Sequence, residues 1–260
     1  VEELVRDMVE LHDHLGGLPA VWVGHDLGSP VVGALAAHHS TRCRGVALFS
    51  VPYFPDGFAL STLVPLVDRG LYPADEYPEG QWDYCRFYET HFEQTVSDFD
   101  AELPATLALI FRYGDPASVG TVYRSATITR NGGWFGAARR APPTAPDHRL
   151  WPVDDFAALV ADFSIHGFRP ANAWYLNNAK NVDFARTAPD GGRLTQPVLF
   201  INGNYDAICD IGLGALGAPM ENACSDLTIS KEPSGHWLPL ERKEQTVETM
   251  RAWLRAKALS

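Results

Sequence analysis

Basic residues are scarce. Only 21 Lys and Arg stand against 32 Asp and Glu, a net charge of −11 over 260 residues, and the densest basic cluster is the pair Arg139-Arg140. A surface of that sign repels phosphate backbones and anionic lipid, which argues against nucleic-acid and membrane-surface partners. No apolar run approaches the roughly 20 residues needed to cross a bilayer, so no membrane span is expected. The four cysteines, Cys43, Cys85, Cys209 and Cys224, have no C-x-x-C spacing. That removes zinc knuckles and dithiol redox motifs and favours free thiols in a reducing, cytoplasmic setting, although the even count is compatible with disulfides. There is no internal repeat and no Gly-rich phosphate loop. His38-His39, a second site where histidines gather, reads as a solvated helix end.

Hydrophobic residues make up 46% of the chain, enough for one substantial core. Four short apolar runs read as buried strands near 20–25, 45–50, 197–203 and 226–231. Glu2 to Leu15 carries Leu4, Val5, Met8, Val9, Leu11 and Leu15 against a charged face, an amphipathic helix feeding the first strand. Val31 to His38 and Lys243 to Lys257 read as further helices. Between Tyr53 and about Arg193 the strand–helix alternation lapses into helices expected at 85–99, 102–112, 118–130, 153–166 and 170–180. The chain divides on this basis into residues 1–54, an inserted helical segment 55–192, and residues 193–260.

Gly24-His25-Asp26-Leu27-Gly28 follows the first strand as a sharp strand-to-helix turn with Asp26 at its apex. Small residues two before and two after the apex let the two backbones approach. A carboxylate at the apex is already ionised, and it displaces leaving groups from saturated carbon to form an alkyl-enzyme ester. Water must then hydrolyse that ester, which needs a base. His236, after the fourth strand, supplies the imidazole, and Asp206, just past the Asn202-Gly203 end of the third strand, supplies the acid that orients it. Asp210 competes for the acid role but lies farther from the strand end.

These motifs resemble the soluble epoxide hydrolases, capped α/β-hydrolases with an Asp nucleophile. Gly167-Phe168-Arg169-Pro170-Ala171-Asn172-Ala173-Trp174-Tyr175 is similar to the cap segment of that family, with Ala173 inserted into its Asn-Trp-Tyr signature. The resemblance implies an α/β fold with a parallel sheet core and an inserted helical cap. It assigns Tyr175 as an acid for epoxide opening and Tyr84 as its partner, with Tyr88 as the alternative. Phenols suit that step because the alkoxide released on ring opening is a stronger base than phenolate. Trp174 and His25 are assigned to the substrate pocket, whose aromatics Trp82, Phe87, Trp134 and Trp174 imply an apolar epoxide, with water as co-substrate and no cofactor or metal. The Leu27 backbone N–H is expected to serve the oxyanion hole.

The family carries further strands and a His-Gly-x-Pro loop ahead of the elbow. Since this chain opens at Val1 on the helix before the elbow, it reads as N-terminally truncated, and the isolated chain is expected to be poorly soluble or inactive. His166-Gly167 does not replace that loop, because it falls within the cap match. Two other functions compete. A haloalkane dehalogenase uses the same triad but typically places Trp after the nucleophile, where this chain has Leu27. A catalytically silent binding domain would not need the triad to be kept.

Overall fold

The computed structural model describes residues 1–259. Four strands form one parallel sheet in the order β1 (Ala20–His25), β2 (Cys43–Phe49), β3 (Val198–Gly203) and β4 (Leu227–Glu232). These are the four strands read from the sequence. Gly24 lies beside Leu48, Phe49 beside Ile201, and Ile201 beside Ser230. All four carboxyl ends therefore open on one edge, where open α/β sheets bind ligands.

Side chains alternate across the central strands. Val46, Leu48, Val198 and Phe200 join one apolar cluster with Val32 and Leu35 of α2 (Gly28–His38) and Val5 of α1 (Glu2–His14). Ala47, Phe49, Leu199 and Ile201 face the opposite way, onto Leu238 and Trp253. Both faces are thus covered, as a parallel sheet requires. α1 meets the core through Val5, Met8 and Val9, whereas Leu4 and Leu11 are 42% and 49% exposed. Its apolar stripe is wider than the surface it packs on.

Between β2 and β3 the chain packs around Trp82, Phe87, Phe99, Leu107 and Ile128, in a cluster that also takes in Val51, Phe54, Cys209 and Leu216. The helix expected at 153–166 is present as Val153–His166, closed by Gly167 at φ +62°. That expected at 102–112 is the shorter Leu103–Ile110. The span 85–99 is two helices, Asp83–Thr90 and Phe92–Asp100, broken at His91 with φ −130°. No helix forms over 118–130, which holds only 3-10 turns at Pro116–Ser118 and Arg124–Thr127. The run Val119-Gly120-Thr121-Val122 is β-branched around a glycine at φ +70°, a poor helix former at every position. Residues 170–180 are likewise divided among Arg169–Asn172, the 3-10 stretch Ala173–Asn177 and the start of Asn178–Arg186.

All four cysteines are buried free thiols. Among the described residues no helix is long and apolar enough to cross a membrane.

Candidate active site

β1 turns into α2 through Asp26, whose φ of +51° lies in the left-handed region. A non-glycine residue pays for that conformation, and such outliers cluster at functional sites. The turn is held from three sides. Asp26 N–H donates to the Phe49 carbonyl at 3.2 Å and Ser29 N–H to the Asp26 carbonyl at 2.9 Å, while the Ser29 hydroxyl reaches the carbonyls of Gly24 and Phe49. A Cβ on Gly24 would fall 2.4 Å from the Gly28 carbonyl oxygen, so Gly24 must be glycine. Gly28 differs from expectation, since a Cβ there would meet nothing within 4 Å. The close approach involves the backbone of residue 28 and not the space beside it.

Three side chains from three strand ends line up. His236 Nε2 lies 3.3 Å from Asp26 Oδ1, and His236 Nδ1 donates to Asp206 Oδ2 at 2.7 Å. Asp206 Oδ1 accepts from the N–H groups of Ile208 and Cys209, each at 3.0 Å. Both oxygens of this buried carboxylate are therefore partnered. Burial opposes charge on His236, but the carboxylates of Asp206 and Asp26 outweigh it and raise the imidazole well above its ordinary value. Burial likewise opposes ionisation of Asp26, yet His236 prevails, and with His25 and the Leu27 backbone N–H it keeps the carboxyl below its usual range. Both shifts favour an imidazolium facing the Asp26 carboxylate.

Asp210 has a different task. Its Oδ1 accepts from Asn202 Nδ2 at 2.7 Å and Gly212 N–H at 2.9 Å, and Asn202 Oδ1 accepts from Ile211 N–H at 3.0 Å. This network shapes the loop that carries Asp206.

Tyr84, Tyr88 and Tyr175 form one cluster, with ring centroids 5.6 Å apart for Tyr84 and Tyr175, 4.8 Å for Tyr88 and Tyr175, and 5.5 Å for Tyr84 and Tyr88. Burial pushes all three hydroxyls up. At Tyr175, Cys85 and the negative charge of Asp26 add to burial, which puts this phenol within electrostatic reach of the elbow. Leu27, Ile208 and Trp134 pack against the same apolar cluster.

The residues expected to line the pocket are placed as follows. Trp174 packs with the α1–α2 cluster beside the sheet and not with the tyrosines, because the 3-10 turn at Ala173–Asn177 sends adjacent side chains to different sides. His25 is occupied as well, its Nε2 bonded at 2.8 Å to the His236 carbonyl. Trp82 and Phe87 are fully buried in the same apolar cluster as Tyr84 and Tyr88.

Sequence reading passes over Ser50, which sits at φ +66° and donates to the His236 carbonyl at 2.7 Å. It also passes over Glu241, whose carboxylate holds the His236 loop through Gly235. Neither belongs to a local motif: Ser50 acts on a residue 186 positions away, and Glu241 also accepts from Gly114 N–H, 127 positions away. Asp206, Cys209 and His236 bring donor atoms within 4.8 Å of one another. Two of these groups are already bonded to each other, and burial keeps the Cys209 thiol protonated by raising it well above its ordinary value. The set therefore suits a proton relay better than a cation.

Comparison with known proteins supplies the family. The model of the alpha/beta hydrolase fold matches residues 1–243. Epoxide hydrolase A of Mycobacterium tuberculosis is 27% identical over 272 residues, covering 98% of this chain and 74% of that protein. Bifunctional epoxide hydrolase 2 of Sus scrofa is 24% identical, and there the chain spans 43% of the relative's length. Among solved structures, epoxide hydrolase A from Mycobacterium thermoresistibile superposes with a TM-score of 0.70 at 21% identity, over 96% of this chain and 74% of that one. An epoxide hydrolase from an endophytic Streptomyces also gives 0.70, at 23% identity and with 98% and 74% covered. The family match runs through the elbow, the acid loop and the His236 loop, and on that ground the chain belongs to the alpha/beta hydrolase fold family.

Proposed function

We propose that the chain is an epoxide hydrolase that converts an apolar epoxide to a vicinal diol through an ester on Asp26. The observation that carries this is a carboxylate at the elbow, in line with His236 and Asp206 and within the field of the half-buried Tyr175 phenol. The epoxide hydrolases among its relatives support the same reading.

In the first step an Asp26 oxygen attacks an epoxide carbon and the carbon–oxygen bond of the ring breaks. Tyr175, with Tyr84 as its partner, gives its proton to the leaving alkoxide. Neutral phenols are required, and burial keeps them protonated. Esterification removes the negative charge of Asp26, one of the two carboxylates that hold His236 protonated. The imidazole value then falls, His236 gives up its proton, which restores the Tyr175 phenol, and the neutral ring becomes a base when a base is needed. In the second step His236 Nε2 takes a proton from water, the hydroxide oxygen bonds to the Asp26 carbonyl carbon, and the bond to the alkyl oxygen breaks. The alkoxide leaves as diol by taking the proton still carried by the oxygen that came from water, which restores the Asp26 carboxylate beside a protonated His236, and the Leu27 N–H stabilises the intermediate oxyanion.

The insertion over residues 55–192 acts as the lid, keeping bulk water out until the ester forms. Four buried thiols fit a cytoplasmic setting. Leu27 has no side-chain donor for a departing halide, which favours epoxide over haloalkane.

Single-turnover reaction in ¹⁸O-water tests the mechanism. Label entering the Asp26 carboxylate is expected, and diol formation without it would mean direct hydration. Halide release exceeding diol formation on matched substrates would favour the dehalogenase.

A further inference from the structure

Three glycines meet backbone to backbone beside His236. A Cβ on Gly203, at the end of β3, would fall 2.4 Å from the Gly235 carbonyl oxygen, and one on Gly114, in the insertion, would fall 2.3 Å from the Gly235 nitrogen. The residue before His236 is thus gripped between the strand leading to Asp206 and the insertion. The fastening is Glu241, 6% exposed, at the end of the helix Leu238–Glu241. Its Oε2 accepts from Gly235 N–H at 2.9 Å and from Gly114 N–H at 3.0 Å. Its Oε1 is buried without a partner.

Further bonds close the joint. The Tyr113 hydroxyl donates to the Glu241 carbonyl at 2.7 Å, and the Trp237 indole N–H to the Ile110 carbonyl at 3.1 Å. The Trp237 and Phe111 rings lie 4.2 Å apart. Burying a carboxylate with one oxygen unpaired costs stability, whereas a charged acceptor holding two backbone N–H groups fixes them firmly. That combination suits a clamp for geometry.

We propose that Glu241 is a positioning residue for the hydrolytic half-reaction, clamping the His236 loop to the insertion at Gly114 so that Nε2 faces the attacking water. This rests on the two-step reading above. Ester formation uses Asp26 and the tyrosines and draws little on the clamp. Ester hydrolysis depends on where His236 sits, and displacement of a catalytic group by about 1 Å costs on the order of 10²-fold.

Rapid-quench turnover of styrene oxide by the full-length protein, with the Asp26 ester quantified by mass spectrometry, separates the two steps. Glu241→Ala is expected to slow ester decay by about tenfold or more with formation within about threefold, so that ester accumulates. Glu241→Gln keeps an oxygen able to accept both N–H groups and restores decay to within about threefold of wild type. Normal decay in Glu241→Ala, or loss of both steps that Glu241→Gln does not rescue, overturns the clamp. If Glu241→Ala does not fold, Tyr113→Phe is expected to show the same split on a smaller scale, and unchanged decay there overturns it too. A readout without substrate keeps the two readings apart. The downfield Nδ1 proton of His236 should broaden or shift in Glu241→Ala or Tyr113→Phe and return in Glu241→Gln. An undisturbed proton refutes the clamp even if no ester forms, while absence of ester in wild type counts against the two-step mechanism alone.

Discussion

His25 Nε2 lies 2.8 Å from the backbone carbonyl of His236, so the residue before the proposed nucleophile holds the residue proposed as base. A carbonyl only accepts, which makes Nε2 of His25 the protonated nitrogen. Burial, with the charge of His236, lowers the His25 value and keeps the ring neutral. His25→Ala would leave the His236 carbonyl with Ser50 alone. We expect kcat to fall by about 10–10² with a smaller change in KM, measured by steady-state diol formation. A change in KM alone would mean that His25 binds substrate.

Asp206 and Asp210 separate cleanly. Asp206→Asn presents an amide to His236 Nδ1, favours the wrong tautomer, and is expected to lower ester hydrolysis on the order of 10³–10⁴. Asp210→Asn loosens the Asn202 network and should cost about 1–3 kcal/mol of stability with a far smaller effect on hydrolysis. Urea unfolding and single-turnover decay on both variants check the assignment.

The two glycines of the elbow also part company. Gly24→Ala drives a Cβ into the Gly28 carbonyl at 2.4 Å and is expected to cost about 3 kcal/mol or to prevent folding. Gly28→Ala meets open space at the start of α2, and should be neutral or stabilising by up to about 1 kcal/mol. Thermal melting of the two variants reads the difference.

Stability should follow the charge state of the relay. His236 is raised in the folded protein, so its contribution is fully present below the unfolded value of about 6.5 and is lost as pH rises through the folded value. Asp26 is lowered, so its contribution is present above about 3.9 and is lost as pH falls through its folded value. The urea-midpoint advantage of wild type over His236→Gln is therefore expected to be largest in mildly acidic to neutral solution and to shrink in alkali. An advantage that grows with alkalinity would contradict the paired imidazolium.

Removing the phenols should slow the first step. Tyr175→Phe is expected to lower ester formation by about 10–10² and Tyr84→Phe by a comparable or smaller factor, with decay of preformed ester unchanged. Tyr88→Phe, as the alternative to Tyr84, should have the smallest effect. Rapid-quench formation rates rank the three.

What the sequence made legible follows from how local each signal is. β3 is an unbroken apolar run between Pro197 and Asn202-Gly203, buried along its whole length, so its limits are written in its own residues. The helix Val153–His166 is bracketed by Pro152 and Gly167. By contrast the break at His91 has no proline or glycine to mark it, and Trp174 and Tyr175, adjacent in the chain, enter different cores. Asp26, Asp206 and His236 were legible because each stands at the end of a readable strand. Glu241 was not, since the partner that gives it meaning, Gly114, lies 127 residues away.

The joint at Gly114 and Gly235 also divides the insertion into a hem fixed to the His236 loop and a crown that is not. Residues 110–114 are sewn to the base and inherit its tolerances, while the irregular stretch from Pro116 to Asp147 makes none of the hydrogen bonds that orient His236. On the proposed function, substrate range is expected to drift, or be open to engineering, in the crown while the turnover machinery stays as it is. Selection for new epoxides is therefore predicted to accumulate changes above the seam and to leave the seam itself alone.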